Sequence, residues 1–184
     1  MLSVAEAIAK LVARISPVSS EEVPLSDALG RVLAEDVAAR VTHPPAAVSA
    51  MDGYAVRATD AKKTPVKLKR IGESSAGKGF RGKIAKGETV RIFTGAPLPE
   101  GADAIVIQEN AVAKGNTIAV NEPAVIGRWV RPAGLDFKKG QKLLKAGTVL
   151  TARDLGLAAA MNVPWLTVRR RPRVAYTATG DEVV

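Results

Sequence analysis

The sequence predicts a mixed α+β chain of more than one domain, and three observations carry that prediction. Helical apolar stripes occur near both ends, at Val4–Ile15 and Ala152–Met161. Between about 47 and 135 helical periodicity vanishes, and short β-like runs alternate with glycine-rich turns. The last apolar run, Arg173–Ala178, ends in the polar turn Thr179-Gly180-Asp181-Glu182, where a βα unit would hand over to a helix. That ending reads as the start of a further domain, so the chain is expected to be the N-terminal piece of a longer protein.

The elements follow in order. Val4, Ile8, Leu11, Val12 and Ile15 form one stripe, Ser3 with Glu6 is a capping-box pattern ahead of it, and Pro17 closes it. The stripe has no adjacent partner and is expected to dock on something further along. The stretch EEVPLSDALGRVLAEDVAAR reads as strand, short helical turn and strand, with Ser26 as N-cap and Gly30 as stop. Pro44-Pro45 marks a stiff crossing into the β-rich module. Its runs are Val66–Ile71, Thr89–Phe93, Ala104–Glu109 and Thr117–Val120, with Lys114-Gly115-Asn116 as a hairpin signal. Lys142–Leu144 and Thr148–Leu150 then flank a turn. Thr151 caps the second helix with Asp154 at N3, and Asn162 and Pro164 close it. Strands at Trp165–Arg169 and Arg173–Ala178 complete the chain.

Composition narrows the chemistry. The 184 residues contain no cysteine and one histidine, which argues against disulfides, thiol nucleophiles, zinc knuckles and Ser-His catalysis. No run approaches the roughly 18 apolar residues of a membrane span, and the start lacks a basic n-region, so a cytoplasmic protein is expected. The net charge of +9 invites nucleic acid. However, two Trp, two Tyr and three Phe are few for a stacking surface. The basic residues are also scattered, apart from Arg169, Arg170, Arg171 and Arg173. An enzyme handling an anionic ligand shows the same excess.

Two phosphate-loop patterns fail on context. GESSAGKG nearly matches a Walker A loop, but Gly79 stands where Ser or Thr should hold magnesium. GKGFRG satisfies G-x-G-x-x-G, yet the glycines at 77, 79, 82 and 87 leave no room for the helix that would receive a pyrophosphate. The segment reads as a β-loop with basic residues.

What remains is oxygen chemistry in glycine-rich turns, a donor type that suits a hard cation such as magnesium. Asp52-Gly53 is either a plain hairpin turn or a presented carboxylate. Thr94-Gly95, stiffened by Pro97 and Pro99, either presents a hydroxyl and free backbone N–H groups to an oxyanion or is a plain rigid loop. Asp136 follows Gly134. Asp181 and Glu182 either help hold magnesium or cap a following helix. His43, beside two prolines, reads as a turn or packing residue.

Taken in order, SAMDGYAV, RIFTGAPLPEGADAIV, VRPAGLDFKKG and TGDE resemble the molybdopterin molybdenumtransferases, the MoeA family related to the gephyrin E domain. The resemblance runs over essentially the whole chain. It implies a leading helix over 1–20 and a connecting α/β domain from 21–44 plus 137–168. It further implies an inserted, mostly antiparallel β-rich domain at 45–136, and the first strand of a truncated α/β pterin-binding domain at 169–184. It implies a homodimer with the active site shared between subunits, and insertion of molybdate into adenylylated molybdopterin with release of AMP in a Mg2+-dependent step. Asp52, Thr94, Asp136 and Glu182 then carry catalytic roles, Gly95, Gly180 and Asp181 bind the pterin substrate, and Asp181 and Glu182 hold the metal. Nucleic acid and membrane are not expected partners, and the isolated chain is expected to be inactive. Leu135 stands where the family has Glu, and no Asn or Asp directly precedes Ser49. A non-catalytic scaffold of the same family is the alternative.

Overall fold

The structure, a computed structural model, describes residues 2–13, 15–175 and 177. Val41–Lys139 form one compact unit, and the chain before and after it forms another.

The outer unit opens with α1 (Val4–Val12), whose capping box is formed as the sequence predicts. Glu6 N–H donates to Ser3 Oγ at 3.3 Å, and Ser3 N–H donates to Glu6 Oε2 at 2.8 Å. The helix ends at Val12, five residues short of Pro17. None of its residues is buried, so the expected docking of the stripe does not occur among the described residues; Val4 is 77% and Leu11 67% exposed.

β1 (Ser20–Pro24) runs into a 3-10 turn at Leu25–Asp27. Pro24, not Ser26, occupies the N-cap position, because the turn starts two residues earlier than the serine would require. Gly30 takes φ 72°, the left-handed conformation that stops the turn. β2 is Val37–Ala38.

The same unit resumes with β11 (Lys142–Leu144) antiparallel to β2, followed by α2 (Ala152–Ala160) and β12 (Trp165–Arg169), which pairs antiparallel with β1. Thr151 caps α2 with Asp154, and Asn162 at φ 59° follows its end. Thr148–Leu150 reduces to a single bridge between Val149 and Val32. Leu33, Leu150, Met161, Leu166 and Val168 fill the interior. Arg31 is 8% exposed and is paired with Glu21 and with the Arg169 carbonyl at 2.8 Å, as a buried guanidinium requires. The expected strand Arg173–Ala178 is absent over residues 171–175 and at 177, which join no ladder; Tyr176 and Ala178 lie outside the described residues.

The inner unit holds β3 (Val48–Ser49), β4 (Gly53–Val56), β5 (Val66–Ser74), β6 (Glu88–Ile92), β7 (Ala104–Ile107), β8 (Ala111–Lys114), β9 (Thr117–Val120) and β10 (Val130–Arg131). Six of these form one sheet in the order β7-β4-β6-β5-β9-β8. Every neighbouring pair in it is antiparallel except β5 and β6, which are parallel and joined by the crossover 75–87. Parallel neighbours need a connection of about a dozen residues or more, and this one is a loop where a helix is usual. β3 pairs separately with β10.

The sheet has apolar packing on both faces. Tyr54, Val56, Ala104 and Val106 belong to one buried cluster, while Ala55 and Ile105 belong to the other, as strand alternation dictates. β8 and β9 meet in the predicted hairpin, where Gly115 takes φ 60° at the first central position of a two-residue turn.

Candidate functional site

Strand register brings the first two predicted site residues together. Gly53 lies opposite Ile92 on β6 and opposite Ile107 on β7. The residue before it, Asp52, therefore meets the chain just beyond both neighbours. Thr94 donates its backbone N–H and its hydroxyl to Asp52 Oδ1, each at 2.8 Å, and Gln108 N–H donates to the Asp52 carbonyl at 3.1 Å.

Gly53 is required there. A Cβ would stand 2.1 Å from the Val106 carbonyl oxygen, well inside any real contact. Asp52-Gly53 is thus a strand entry squeezed between two neighbours rather than the tip of a hairpin.

The Thr94 N–H first, and then its hydroxyl, hold the Asp52 carboxyl below the usual carboxylate range, and the charge of Arg91 adds to this. Arg91 itself sits between two rings, its guanidinium carbon 5.1 Å from the Tyr54 centroid and 5.0 Å from that of Phe93. The Tyr54 contact follows from register, since Tyr54 and Arg91 are cross-strand partners. Arg91 Nη2 donates to Gln108 Oε1 at 2.7 Å and Nη1 reaches the Gly53 carbonyl at 3.4 Å. Sequence reading passed over Arg91 and Gln108. Their signal was the flanking position of each, beside a strand end that carries a predicted site residue.

Of the two readings of the 94–98 loop, the plain rigid one holds for its backbone donors, which are used internally. Thr94 N–H goes to Asp52, Gly95 N–H to the Ser49 carbonyl at 2.9 Å, Ala96 N–H to Phe93 at 2.9 Å and Leu98 N–H to Ala47 at 2.9 Å. Proline 97 has no N–H. Gly95 takes φ 80°, the left-handed conformation in which this loop turns.

Asp136 occupies a second cluster of the same unit. Its Oδ2 lies 2.8 Å from His43 Nδ1, and Arg131 Nη2 donates to Oδ1 at 2.9 Å. His43 first and Arg131 second keep this carboxyl below its usual range. His43 also stacks on Phe137 with centroids 5.7 Å apart, so its packing role holds and a carboxylate partnership is added to it. Arg131 faces Val48 in the β3–β10 ladder, three residues before Met51, which ties the Asp136 cluster to the strand that leads into Asp52. No hydrogen bond joins Asp136 to Asp52 or Thr94 among the described residues.

Gly180, Asp181 and Glu182 lie outside the described residues. Among the described residues no three His, Cys, Asp or Glu side chains gather as a metal cage. Asp52 uses Oδ1 for Thr94, leaving Oδ2 as a single hard oxygen donor. That fits a magnesium ion carried by a phosphate ligand, and does not fit an ion held by this unit alone. No helix of the described residues is long and apolar enough to cross a membrane.

Comparison with known proteins places these residues in context. Residues 2–162 match the family model described as MoeA N-terminal region (domain I and II). The molybdopterin molybdenumtransferase of Nostoc sp. strain PCC 7120 is 38% identical over 169 residues, covering 90% of this chain and 39% of that protein. That of Haemophilus influenzae is 35% identical over 186 residues, covering 100% of this chain and 46% of the relative. A crystal structure of the molybdopterin biosynthesis MoeA protein from Pyrococcus horikoshii superposes with a TM-score of 0.86 at 34% identity, covering 91% of this chain and 46% of that one. The chain thus spans less than half the length of these relatives.

Proposed function

The chain belongs to the family of the MoeA N-terminal region, and on that premise we propose that it supplies the N-terminal part of a molybdopterin molybdenumtransferase. The reaction is insertion of molybdate into adenylylated molybdopterin with release of AMP. The observation that carries the reading is the Asp52–Thr94 junction, a carboxylate fixed by two donors at the end of a sheet.

Asp52 is held ionised, and a carboxylate stabilised in that way is a poor proton acceptor. Its role is therefore to orient and to balance charge. Thr94 directs its hydroxyl hydrogen to Asp52, so the Thr94 oxygen presents lone pairs outward as an acceptor. When magnesium is bound with the substrate it would offset charge on the phosphate and molybdate oxygens, with Asp52 Oδ2 as this unit's ligand to it. The sulfur ligands of the molybdenum would come from the pterin, which explains how a chain without cysteine takes part in thiolate–metal chemistry.

Asp136, oriented by His43 and Arg131, is the second carboxylate of the proposed site, and Asp181 and Glu182 are the third and fourth. We further propose a cytoplasmic homodimer in which Asp52 and Thr94 act on the pterin held by the other subunit. Turnover is assigned to a protein of the relatives' full length rather than to these residues alone.

A chimera tests this. It joins the present chain to the remainder of the Haemophilus influenzae relative, which this sequence matches at 35% identity. The chimera is expected to insert molybdenum, and Asp52→Ala to slow insertion by about 100-fold, as loss of a positioning group does. A folded chimera without insertion, or an Asp52→Ala variant at the unaltered rate, overturns the reading.

A further inference from the structure

The amide donors of the 94–98 loop are all committed internally, so that loop shows an incoming anion the negative Asp52 and no backbone N–H. Arg91 is already engaged by Gln108 and two rings, so further positive groups must come from a neighbour, and one neighbour supplies them.

β5 and β6 are parallel, so they deliver their outgoing loops at the same end. Ser74 is in register with Ile92, Phe93 N–H donates to the Ser74 carbonyl at 3.2 Å, and Ser74 Oγ donates to the Pro97 carbonyl at 2.8 Å. From Ile92 the chain proceeds to Thr94, and from Ser74 it enters the crossover that carries Lys78 and Arg81. Gly79 approaches the other loop so closely that a Cβ on it would stand 3.4 Å from the Pro97 ring.

The crossover is built rather than slack at this point. Ser75 and Lys78 exchange two backbone hydrogen bonds, 3.0 and 3.1 Å, around Ala76-Gly77, with Gly77 at φ 77°. Phe80 packs against two glycines, since a Cβ at Gly72 or Gly82 would come within 2.4 or 2.6 Å of its ring. Lys78 therefore springs from a hydrogen-bonded turn, and Arg81 follows the aromatic residue whose ring lies against Gly72 and Gly82. These residues, with Glu73, Ser75 and Gly79, line an open cavity of about 520 Å³. Among the described residues neither Lys78 nor Arg81 has an ion-pair partner, whereas Lys83 of the same loop is paired with Glu100 at 3.0 Å.

We propose that Lys78 and Arg81 form a phosphate-binding shelf beside the loop that carries Thr94, which takes a phosphate ester with its organic group against Phe80. Arginine matches the planar oxygen pairs of a phosphate and lysine adds a mobile point charge. With Glu73 as the single carboxylate in the lining, the shelf keeps a net positive charge. This is not a phosphate loop in the Walker sense, because the Lys78 N–H is bound to Ser75 and no helix follows; the side chains do the binding. The shelf deepens the proposed function and rests on it only for the ligand's identity, which there is the adenylylated substrate or its AMP product.

The test titrates the 184-residue chain with AMP and with inorganic phosphate, followed by amide chemical shifts at low and high salt. Both probes are expected to shift residues 73–82, and binding to weaken as salt rises. Lys78→Ala/Arg81→Ala should lower affinity for both probes at least about tenfold. Lys78→Gln/Arg81→Gln, which keeps the side chains long, runs in parallel, so that the loss is read in whichever variant retains the wild-type amide spectrum. Lys83→Ala should stay within about twofold, since its charge is already engaged. Phe80→Leu should weaken AMP and spare inorganic phosphate. Unchanged affinity in the double variants, shifts centred on Arg169–Arg173 instead, or no binding by either probe would sink the shelf. An inert chimera whose N-terminal chain still binds AMP at 73–82 leaves the shelf standing and removes the molybdenum reading. An active chimera whose substrate KM is indifferent to the double substitution does the reverse.

Discussion

Thr94 gives two hydrogens, one from its backbone and one from its side chain, to a single oxygen of Asp52, which lies 42 residues earlier in the sequence. The two donors are not equivalent, and substitution separates them. Thr94→Val removes the hydroxyl and keeps the N–H, so Asp52 should titrate higher than in the wild type while staying below its ordinary value of 3.8. Thr94→Ser should restore the wild-type curve. The carboxyl carbon shift of Asp52 followed from pH 6 to 2 reads this directly, and an unmoved titration in Thr94→Val would show that the hydroxyl contributes nothing.

Arg91 links the same turn at two points, through the Gly53 carbonyl and through Gln108, whose own N–H holds the Asp52 carbonyl. Lysine in its place keeps the charge and loses the fork and the flat stacking surface. Arg91→Lys should therefore shift the Gln108 side-chain amide resonances as much as Arg91→Met does, while the Asp52 titration rises in the methionine variant and less in the lysine variant. Equal titration curves in the two variants would mean that charge has no part in the coupling.

Gly53→Ala places a methyl group against the Val106 carbonyl, backbone against side chain in the middle of a sheet. Destabilisation of about 3 kcal/mol is expected. Gly115→Ala is the matched control, because no atom lies within 4 Å of its added Cβ and only the φ of 60° resists the change. It should cost about 1 kcal/mol. Urea midpoints measure both, and a Gly53→Ala variant no weaker than the control contradicts the close β4–β7 approach.

Acid should loosen the Asp136 cluster in a defined direction. Its carboxyl is depressed in the folded chain, first by His43 and then by Arg131, from an ordinary value of 3.8. A depressed acid contributes stability that is fully present above the unfolded value and is lost as pH falls through the lower folded one. Asp136→Asn should thus melt below the wild type at pH 6, with the gap narrowing as pH drops beneath about 3.8. Thermal melts at several pH values report it, and a gap constant down to pH 2 refutes the assignment.

The helices and most of the strands were legible because their signals are local. Ser3 with Glu6 and Thr151 with Asp154 close capping boxes that a reader of the chain can see. β4 was hidden because all four of its residues are buried, between two apolar layers, so the alternation that marks a strand with one wet face is missing. β8 was legible only through its turn, since Val112, Ala113 and Lys114 are all exposed on an edge and show no buried face. The site divides in the same way. Asp52 and Thr94 could be singled out as oxygen-bearing turn residues, but their mutual bond, the Arg91 sandwich and the internal use of the loop amides depend on which strands become neighbours. Pairing across 42 residues leaves no trace in either local stretch.

The lone parallel pairing in the sheet also sets an order of assembly. β8 and β9 are joined by two residues and can close early, whereas β5 and β6 cannot align until the loop between them has been drawn in at an entropic cost. β5 lies between β6 and β9, so the hairpin gives it an edge to add to before β6 arrives. The junction of Asp52 with Thr94 stands on the β6 side of that seam. It belongs to the antiparallel β4–β6 pairing and can close without that seam, so its amides are expected to exchange independently of those across β5 and β6.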